Sequence, residues 1–333
     1  MSTLFGGVSR QSHAATFPPD RYYCLLDELP LHLLPRNANM RLRGEQGTEL
    51  YLNPVCRLIS AETLPEASAC QKEIFSAFAL QGTVALVEEE RTGSSLPFWL
   101  GRELEDVVRG LRLKEPVPSS VPPEVRSILA EAGILVPQQR SESATLDNQG
   151  WITNARASYR EKGYAPLPGL IHPFHVAALR RYYRCLIRTG MIRLGDSQSS
   201  LRYVIHNEPV AQFFHQQIAR VLSAVAGQAL KPSYVYLASY LPGAELKKHV
   251  DREQCEFSIT LCLDFSPEPE LTTPWPICLD TTGGKVAVYQ ALGDGLAYRG
   301  TRLPHYRGKL GEGQTSTSIF FHYVSEDFEG RLN

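Results

Sequence analysis

The spacing of hydrophobic residues changes character along the chain. Two stretches, His172 to Gly190 and Glu208 to Gly227, repeat apolar residues every three or four positions, which predicts two amphipathic helices. After Lys231 the pattern becomes short apolar runs between glycine, proline or charged turns, which predicts strands. These runs are SYVYLASYL, FSITLCLDF, KVAVYQ, GLAYRG and TSIFFHYV. Helices followed by many short strands are typical of a β-sandwich or jelly roll with supporting helices.

The first half of the chain has a more mixed pattern. Met40 to Pro54 alternates around a polar turn and predicts a hairpin, and the stretch from Gly82 predicts a strand. The residues from Phe98 onward and the segment EVRSILAEAGILV have helical spacing, and the second helix ends at Gly133. This order resembles the small winged-helix-like peptide-recognition domains of enzymes that tailor ribosomally made peptides. The resemblance implies an accessory or substrate-recognition role.

A polar stretch marks the predicted domain boundary. PQQRSESATLDNQG, from Pro137 to Gly150, has no apolar periodicity. We therefore predict an N-terminal domain at 1–140, a linker at 141–150 and a C-terminal domain at 151–333. A length of 333 residues accommodates two domains. The predicted fold class is α+β, with a C-terminal double-stranded β-helix (jelly roll), its supporting helices and a smaller N-terminal α+β domain.

Composition and charge exclude several classes of protein. The 34 Lys and Arg residues nearly balance the 35 Asp and Glu residues, which argues against binding nucleic acid through phosphate neutralisation. No apolar run approaches the length of a membrane span, and the start lacks a signal-peptide pattern. The seven cysteines are scattered without a C-x-x-C motif, which favours the cytoplasm.

Three residues in the C-terminal half form a candidate metal site. His249 and Asp251 are two apart, so in an extended segment their side chains point to the same face. His305 follows another predicted strand, in TRLPHYRG. Two imidazoles and one carboxylate on a β scaffold make the facial triad of non-haem Fe(II) oxygenases, which leaves positions open for a bidentate co-substrate and O₂.

Five blocks in order resemble the Fe(II)/2-oxoglutarate-dependent oxygenases, nearest to their prolyl-hydroxylase-like and phytanoyl-hydroxylase-like branches. They are Glu161 to Leu179, Tyr236 to Asp251, FSITLCLDF, GGKVAVYQALGDGLAYRGTRLPHYRG and GQTSTSIFFHYV. The resemblance covers roughly residues 150–328. It implies Fe(II) ligation by His249, Asp251 and His305, with 2-oxoglutarate as co-substrate and O₂ as oxidant.

The co-substrate pocket departs from the family pattern. Tyr240 matches a tyrosine that often lines this pocket in the family. The family also places a basic residue about ten positions after the distal histidine, followed by a small hydroxyl residue. Here Gln314 or Thr315 takes the basic position and Ser316 the hydroxyl position. A buried carboxylate needs a paired charge. Either another basic residue supplies it, with Arg307, Arg299 and Lys247 as the candidates, or the co-substrate is a different molecule.

The substrate stays open at this stage. One hypothesis is oxidation of an unactivated C–H bond in a peptide, a protein side chain or an amino-acid-like substrate, which the N-terminal domain would help to bind. A second is oxidation of a free small metabolite, with the N-terminal domain as a lid or homodimer interface. A third is a degenerate member of the family that binds a ligand or partner without turnover.

Overall fold

The computed structural model describes residues 17–28, 49–138 and 142–332. Its helices are α1 Leu64–Ala67, α2 Arg102–Gly110, α3 Pro123–Glu131, α4 Glu142–Lys162, α5 Pro173–Arg188 and α6 Pro209–Ala226. Its strands are β1 Leu50–Leu52, β2 Arg57–Ser60, β3 Thr83–Glu88, β4 Ser95–Leu100, β5 Leu135–Pro137, β6 Tyr164–Leu167, β7 Arg193–Leu194, β8 Arg202–His206, β9 Leu230–Tyr240, β10 Leu246–His249, β11 Phe257–Ser266, β12 Ile277–Thr281, β13 Gly284–Val288, β14 Gly295–Tyr298, β15 His305–Arg307 and β16 Thr315–Ser325.

Two antiparallel sheets form the C-terminal half. The larger has the order β6-β14-β11-β16-β9-β8-β7, and the smaller has the order β10-β15-β12-β13. They pack on each other, since Ile277 and Leu279 of the smaller sheet share an apolar cluster with Leu296 and Tyr298 of the larger. Mixed helices and antiparallel strands agree with the predicted class, and the strand order is compatible with a jelly roll.

Helices α5 and α6 support the large sheet, as the sequence predicts. Each begins with a proline directly after the capping residue, where a missing N–H costs nothing. The Glu208 carboxylate caps α6 by accepting hydrogen bonds from the backbone N–H groups of Val210 and Ala211. Gly227 ends α6 in the left-handed conformation (φ 75°) that glycine adopts without strain. The apolar face of α6 packs against β9.

Two local predictions, the linker and the helix from Phe98, differ from the structure. Residues 142–150, predicted as linker, belong to α4, whose later residues Ala155 and Tyr159 are buried. The stretch is polar, but it lacks proline, so nothing interrupts a helix that its later turns anchor. The helix expected from Phe98 begins at Arg102, because Phe98 lies within β4.

The predicted hairpin, Met40 to Pro54, lies partly outside the described residues. Its described part includes β1, which pairs with β5 about eighty residues further along the chain. The partner strand of β1 is therefore β5, Leu135–Pro137. The local hydrophobic pattern around β1 does not predict this long-range pairing. Likeness to a winged helix stays a prediction.

One hydrophobic core runs through both halves of the described chain. Phe78 packs against Phe213 of α6, with ring centroids 5.4 Å apart. The Tyr22 hydroxyl lies 2.6 Å from Nδ1 of His175 on α5, and both residues are fully buried. Buried residues on both sides of 141–150 thus belong to one apolar cluster, and the division into two domains stays a prediction. No helix among the described residues is long and apolar enough to cross a membrane.

Candidate metal centre

The pairing of β10 with β15 positions the candidate ligands. His249 and His305 are register partners across this antiparallel pair, and their ring centroids lie 4.4 Å apart. Asp251 follows β10, where its backbone N–H donates to the Gly300 carbonyl at 2.9 Å. This hydrogen bond joins the segment after β10 to the residues after β14. It turns the carboxylate back towards the two imidazoles.

The three side chains converge on a common point. Nε2 of His249 and Nε2 of His305 each lie 3.5 Å from Oδ1 of Asp251. The ligand atoms of all three residues lie within 4.8 Å of one another, which is the spacing of atoms that can share a metal ion. His305 is buried, whereas the His249 side chain is 33% exposed. The cluster therefore has one deep and one accessible side.

Backbone carbonyls fix the orientation of both imidazoles. Nδ1 of His249 lies 2.7 Å from the Lys247 carbonyl, and Nδ1 of His305 lies 3.0 Å from the Leu303 carbonyl. A carbonyl only accepts, so Nδ1 carries a proton in both rings, and Nε2 is the nitrogen that can bind a metal ion once it is deprotonated. Metal-ligating histidines in proteins are held in this way.

A chain of hydrogen bonds holds the Asp251 carboxylate. The Ser258 hydroxyl donates to Oδ2 of Asp251 at 3.2 Å, and Nδ1 of His322 lies 2.9 Å from the same hydroxyl. Burial lowers the pKa of His322 to about 4, so this histidine is neutral at physiological pH. His322 is thus a hydrogen-bonded interior residue behind the site. Asp251, Cys255 and His322 also form a second close group, which shares Asp251 with the first.

The electrostatics of the cluster favour an ionised Asp251. Burial alone would raise the pKa of this carboxyl group, but hydrogen bonds with His249 and His305 outweigh burial and lower it well below its usual range. The same contact with Asp251 raises the pKa of His249. An ionised carboxylate beside two imidazole nitrogens is also suited to hold a metal cation.

The cluster lies in the wall of a large cavity. The cavity has a volume of 1180 Å³, at the upper end of ligand pockets in proteins. All its lining residues lie between Asp196 and His322, on β8, β9, β10, β14, β15 and β16 and in the segments around them. None of residues 17–28 or 49–138 lines it.

The structure separates the predicted co-substrate residues. Tyr240 lines the cavity, and Ser316 is buried on β16 in register with it. Gln314 does not line the cavity, and its side-chain oxygen accepts from the Gly311 N–H within a turn. Arg299 also lies elsewhere, with its guanidinium 5.5 Å from the ring of Tyr159 on α4. Gln314 and Arg299 are thus not brought to the site, because the first belongs to a turn and the second packs outside the sheets.

Arg307 occupies an unusual environment for a charged residue. It is 4% exposed, and burial lowers its pKa. Nη1 donates to the Trp275 carbonyl at 2.8 Å and Nη2 lies 3.4 Å from Oε1 of Gln290, but Nε has no partner. No carboxylate of the described residues lies within 4.0 Å of it. Arg307 does not itself line the cavity: its guanidinium packs 4.8 Å from the Trp275 ring, which contacts the cavity-lining ring of Tyr240.

Sequence reasoning missed a second buried arginine. Arg202 lines the cavity from β8 and is 2% exposed. It donates to Asp196 and Gln198, each at 2.6 Å, and to the Tyr240 hydroxyl at 3.4 Å. The only sequence signal was a charged residue at the start of the apolar run RYVIH. In contrast to Arg307, Arg202 has its charge balanced by Asp196.

Comparisons with known proteins find distant structural neighbours. No protein-family model and no curated protein sequence matches the chain. Among solved structures the chain is similar to SnoN, a non-haem α-ketoglutarate-dependent epimerase from nogalamycin biosynthesis, with 16% identity and a TM-score of 0.45 over 53% of this chain and 84% of that chain. The same epimerase in complex with Fe³⁺, α-ketoglutarate and nogalamycin RO matches with 15% identity and a TM-score of 0.44 over 53% and 84% of the two chains.

A Pseudomonas putida prolyl-4-hydroxylase is also similar, with 14% identity and a TM-score of 0.44 over 53% of this chain and 99% of that chain. Two of these matches are to one α-ketoglutarate-dependent epimerase, and the third is to a prolyl hydroxylase. The epimerase and the hydroxylase catalyse different reactions. Similarity at this level does not determine an activity. The function has to follow from the side chains of the site.

Proposed function

We propose that this protein is a non-haem Fe(II)- and 2-oxoglutarate-dependent oxygenase that oxidises an unactivated C–H bond of its substrate, hydroxylation being the outcome we expect. The convergence of His249, Asp251 and His305 carries the proposal. Two oriented imidazoles and one carboxylate suit Fe(II), and these three side chains would hold the ion. The remaining positions are left for a co-substrate and O₂.

The residues around the triad fit such a metal. Both Nδ1 atoms are tied to carbonyls, which leaves both Nε2 atoms free as ligands, and Asp251 is fixed by Ser258 and by the Gly300 carbonyl. Bound Fe(II) with 2-oxoglutarate and O₂ would supply the oxidising power, with 2-oxoglutarate converted to succinate and CO₂. The protein's part is to hold three ligands, bind the co-substrate and exclude water.

Arg307 is our candidate for binding the far carboxylate of 2-oxoglutarate. A buried guanidinium without a counter-ion is costly, and an anion that binds beside it removes much of that cost. Arg307 also lies two residues after His305 on the same strand, so both side chains project from the same face of β15. Its unpartnered Nε provides a free donor. Tyr240 and Ser316 remain candidates to assist from the neighbouring strands.

The sequence left three alternatives for the function: two substrate classes and a protein that binds without turnover. Turnover of a peptide or amino-acid-like substrate and turnover of a small metabolite both use the same triad, and they differ in what enters the cavity. A degenerate protein that binds without turnover would keep the cavity and lack catalysis. The complete triad favours an enzyme over this last alternative.

Succinate formation tests the proposed activity. The purified protein with Fe(II), 2-oxoglutarate, ascorbate and O₂ should convert 2-oxoglutarate to succinate faster than free iron does, even slowly and without substrate. Asp251→Asn should lower this rate to that of free iron, because it removes the anionic ligand. Glu253→Gln changes an exposed acid two residues away and should leave the rate unchanged. A wild-type rate equal to that of free iron would contradict the proposal.

A further inference from the structure

The positively charged residues that line the cavity outnumber the acidic residues that could pair with them. Apart from the metal-ligand candidates, the charged lining residues are Asp196, Arg202, Glu245, Lys247, Arg252 and Lys309. Asp196 and Arg202 form an ion pair with an N–O distance of 2.6 Å. No carboxylate of the described residues lies within 4.0 Å of the side-chain nitrogens of Lys247, Arg252 or Lys309. In the part of the chain that the structure describes, three positively charged lining residues therefore lack an acidic partner, and outside the metal cluster Glu245 is the one acidic lining residue without an ion pair.

Arg252 is the most firmly positioned of these three cations. Its guanidinium lies 4.7 Å from the centroid of the Tyr234 ring, and Nε donates to the Tyr234 hydroxyl at 3.3 Å. The contact with Tyr234 raises the pKa of Arg252. Arg252 is an exposed residue that lines the cavity and directly follows Asp251 in the chain.

Aromatic side chains continue the wall away from Arg252. Tyr234 lies 6.0 Å from His206 and His206 lies 4.5 Å from Tyr236, measured between ring centroids. The Tyr236 ring is 5.7 Å from Phe320 on β16. All four rings line the cavity. They present flat, apolar surface of the kind on which an aromatic or extended apolar ligand packs.

We propose, as an extension of the proposed function, that the substrate is a small anionic molecule whose acidic group binds Arg252 and whose aromatic or apolar body packs on Tyr234, Tyr236 and Phe320. A guanidinium has five N–H donors and suits a carboxylate or a phosphate, and Lys247 and Lys309 add positive potential in the lining. The cavity is large enough for 2-oxoglutarate and a second molecule together. Its lining comes entirely from residues 196–322, so the described N-terminal residues are not needed to form this binding surface.

The test uses probes that share an aromatic body and differ in charge. Binding of 2-naphthylacetate, 2-naphthyl phosphate and the neutral 2-naphthylacetamide to the full-length, metal-free protein is measured by saturation-transfer NMR at millimolar concentration. At least one anion should bind roughly tenfold more tightly than the amide, since one charged hydrogen-bonded contact is worth about that factor. A preference between the two anions identifies carboxylate or phosphate as the acidic group.

Variants assign the binding to Arg252. Arg252→Gln should abolish the preference for the anion, whereas Arg188→Gln, on the exposed end of α5, should preserve it. Loss of the preference in Arg307→Gln with retention in Arg252→Gln would place the anion at the deeper arginine and overturn the proposal. Equal binding of all three probes, or no binding of any, would also overturn it. Because no iron is present, this result is independent of whether the protein converts 2-oxoglutarate.

Discussion

Arg307 and His305 lie on the same face of a three-residue strand, both buried, with Tyr306 between them partly exposed. His305 contributes Nε2 to the candidate metal cluster. Arg307 holds a buried positive charge that no carboxylate of the described chain balances. We propose that this buried cation takes the role of the basic residue that the family pattern places near position 314 or 315.

The first prediction concerns the affinity for 2-oxoglutarate. Arg307→Gln should raise the KM for 2-oxoglutarate by roughly one to two orders of magnitude, because it removes a charge-assisted contact with the carboxylate. Arg299→Gln, which changes an arginine outside the cavity, is the matched control and should leave the KM unchanged. The dissociation constant of Fe(II) should be the same in both variants.

Arg202 provides the competing explanation for co-substrate binding. It lines the cavity and contacts Tyr240, but Asp196 already neutralises it. If Arg202→Gln raised the KM while Arg307→Gln did not, the co-substrate would be bound on the β8 side of the cavity and our assignment would be wrong.

The second prediction concerns the close approach of Gly300 to Asp251. A Cβ atom at position 300 would lie 2.5 Å from Oδ2 of Asp251 and 2.7 Å from Oγ of Ser258, and it would overlap the Cys255 carbonyl. Gly300→Ala must therefore displace the carboxylate. We expect the affinity for Fe(II) to fall about 10–100-fold, as measured by anaerobic metal titration.

Gly308 offers the control, since a Cβ atom there meets nothing within 4 Å. Gly308→Ala should bind Fe(II) like the wild type. Unchanged Fe(II) affinity in Gly300→Ala would show that Asp251 does not need its present position to hold the metal.

The third prediction follows from the shared core. Phe78→Ala should reduce the free energy of unfolding by about 3–5 kcal/mol, because it opens a cavity against Phe213. The N-terminal and C-terminal halves of the variant should unfold together. Thiol labelling followed by mass spectrometry should therefore show buried Cys24 and buried Cys262 becoming reactive at the same denaturant concentration.

Leu80→Ala changes a residue that is 37% exposed and should have a much smaller effect. Early reactivity of Cys24 alone would instead indicate an N-terminal domain that unfolds independently. In that case the predicted division at 141–150 would describe the folding units correctly.

The fourth prediction concerns the pH dependence of stability. Burial lowers the pKa of His215 from 6.5 to about 3, and its Nε2 donates to the His322 carbonyl at 2.7 Å. Below pH 6.5 the unfolded chain takes up a proton at this site that the folded protein does not, so the free energy of unfolding falls as the pH is lowered. The contribution of this residue is about 1.4 kcal/mol per pH unit.

Urea unfolding between pH 7.5 and 5.5 measures this slope. His215→Gln keeps a side-chain donor and does not titrate, so its mean slope over this range should be shallower by about half a proton, and the difference should approach one proton towards pH 5.5. Identical slopes for the variant and the wild type would show that His215 is not buried in its neutral form.

The sequence identified the metal cluster better than its surroundings, for physical reasons. His249 and Asp251 are close in the chain, and alternation along an extended segment is enough to place them together. Choosing between Arg299 and Arg307 required the position of each residue relative to the two sheets, which depends on long-range pairing. Arg202 comes from a strand that local motifs do not connect to the site. The helix across 142–150 was missed because its anchoring contacts occur later in α4.

The central claim is that His249, Asp251 and His305 hold Fe(II) so that it chelates 2-oxoglutarate. Anaerobic addition of Fe(II) and 2-oxoglutarate should produce the visible metal-to-ligand charge-transfer band of such a chelate. The band should be absent in His249→Ala and present in His206→Ala, which removes a cavity histidine outside the cluster. A wild-type protein without the band, or a band that persists in His249→Ala, would contradict the account.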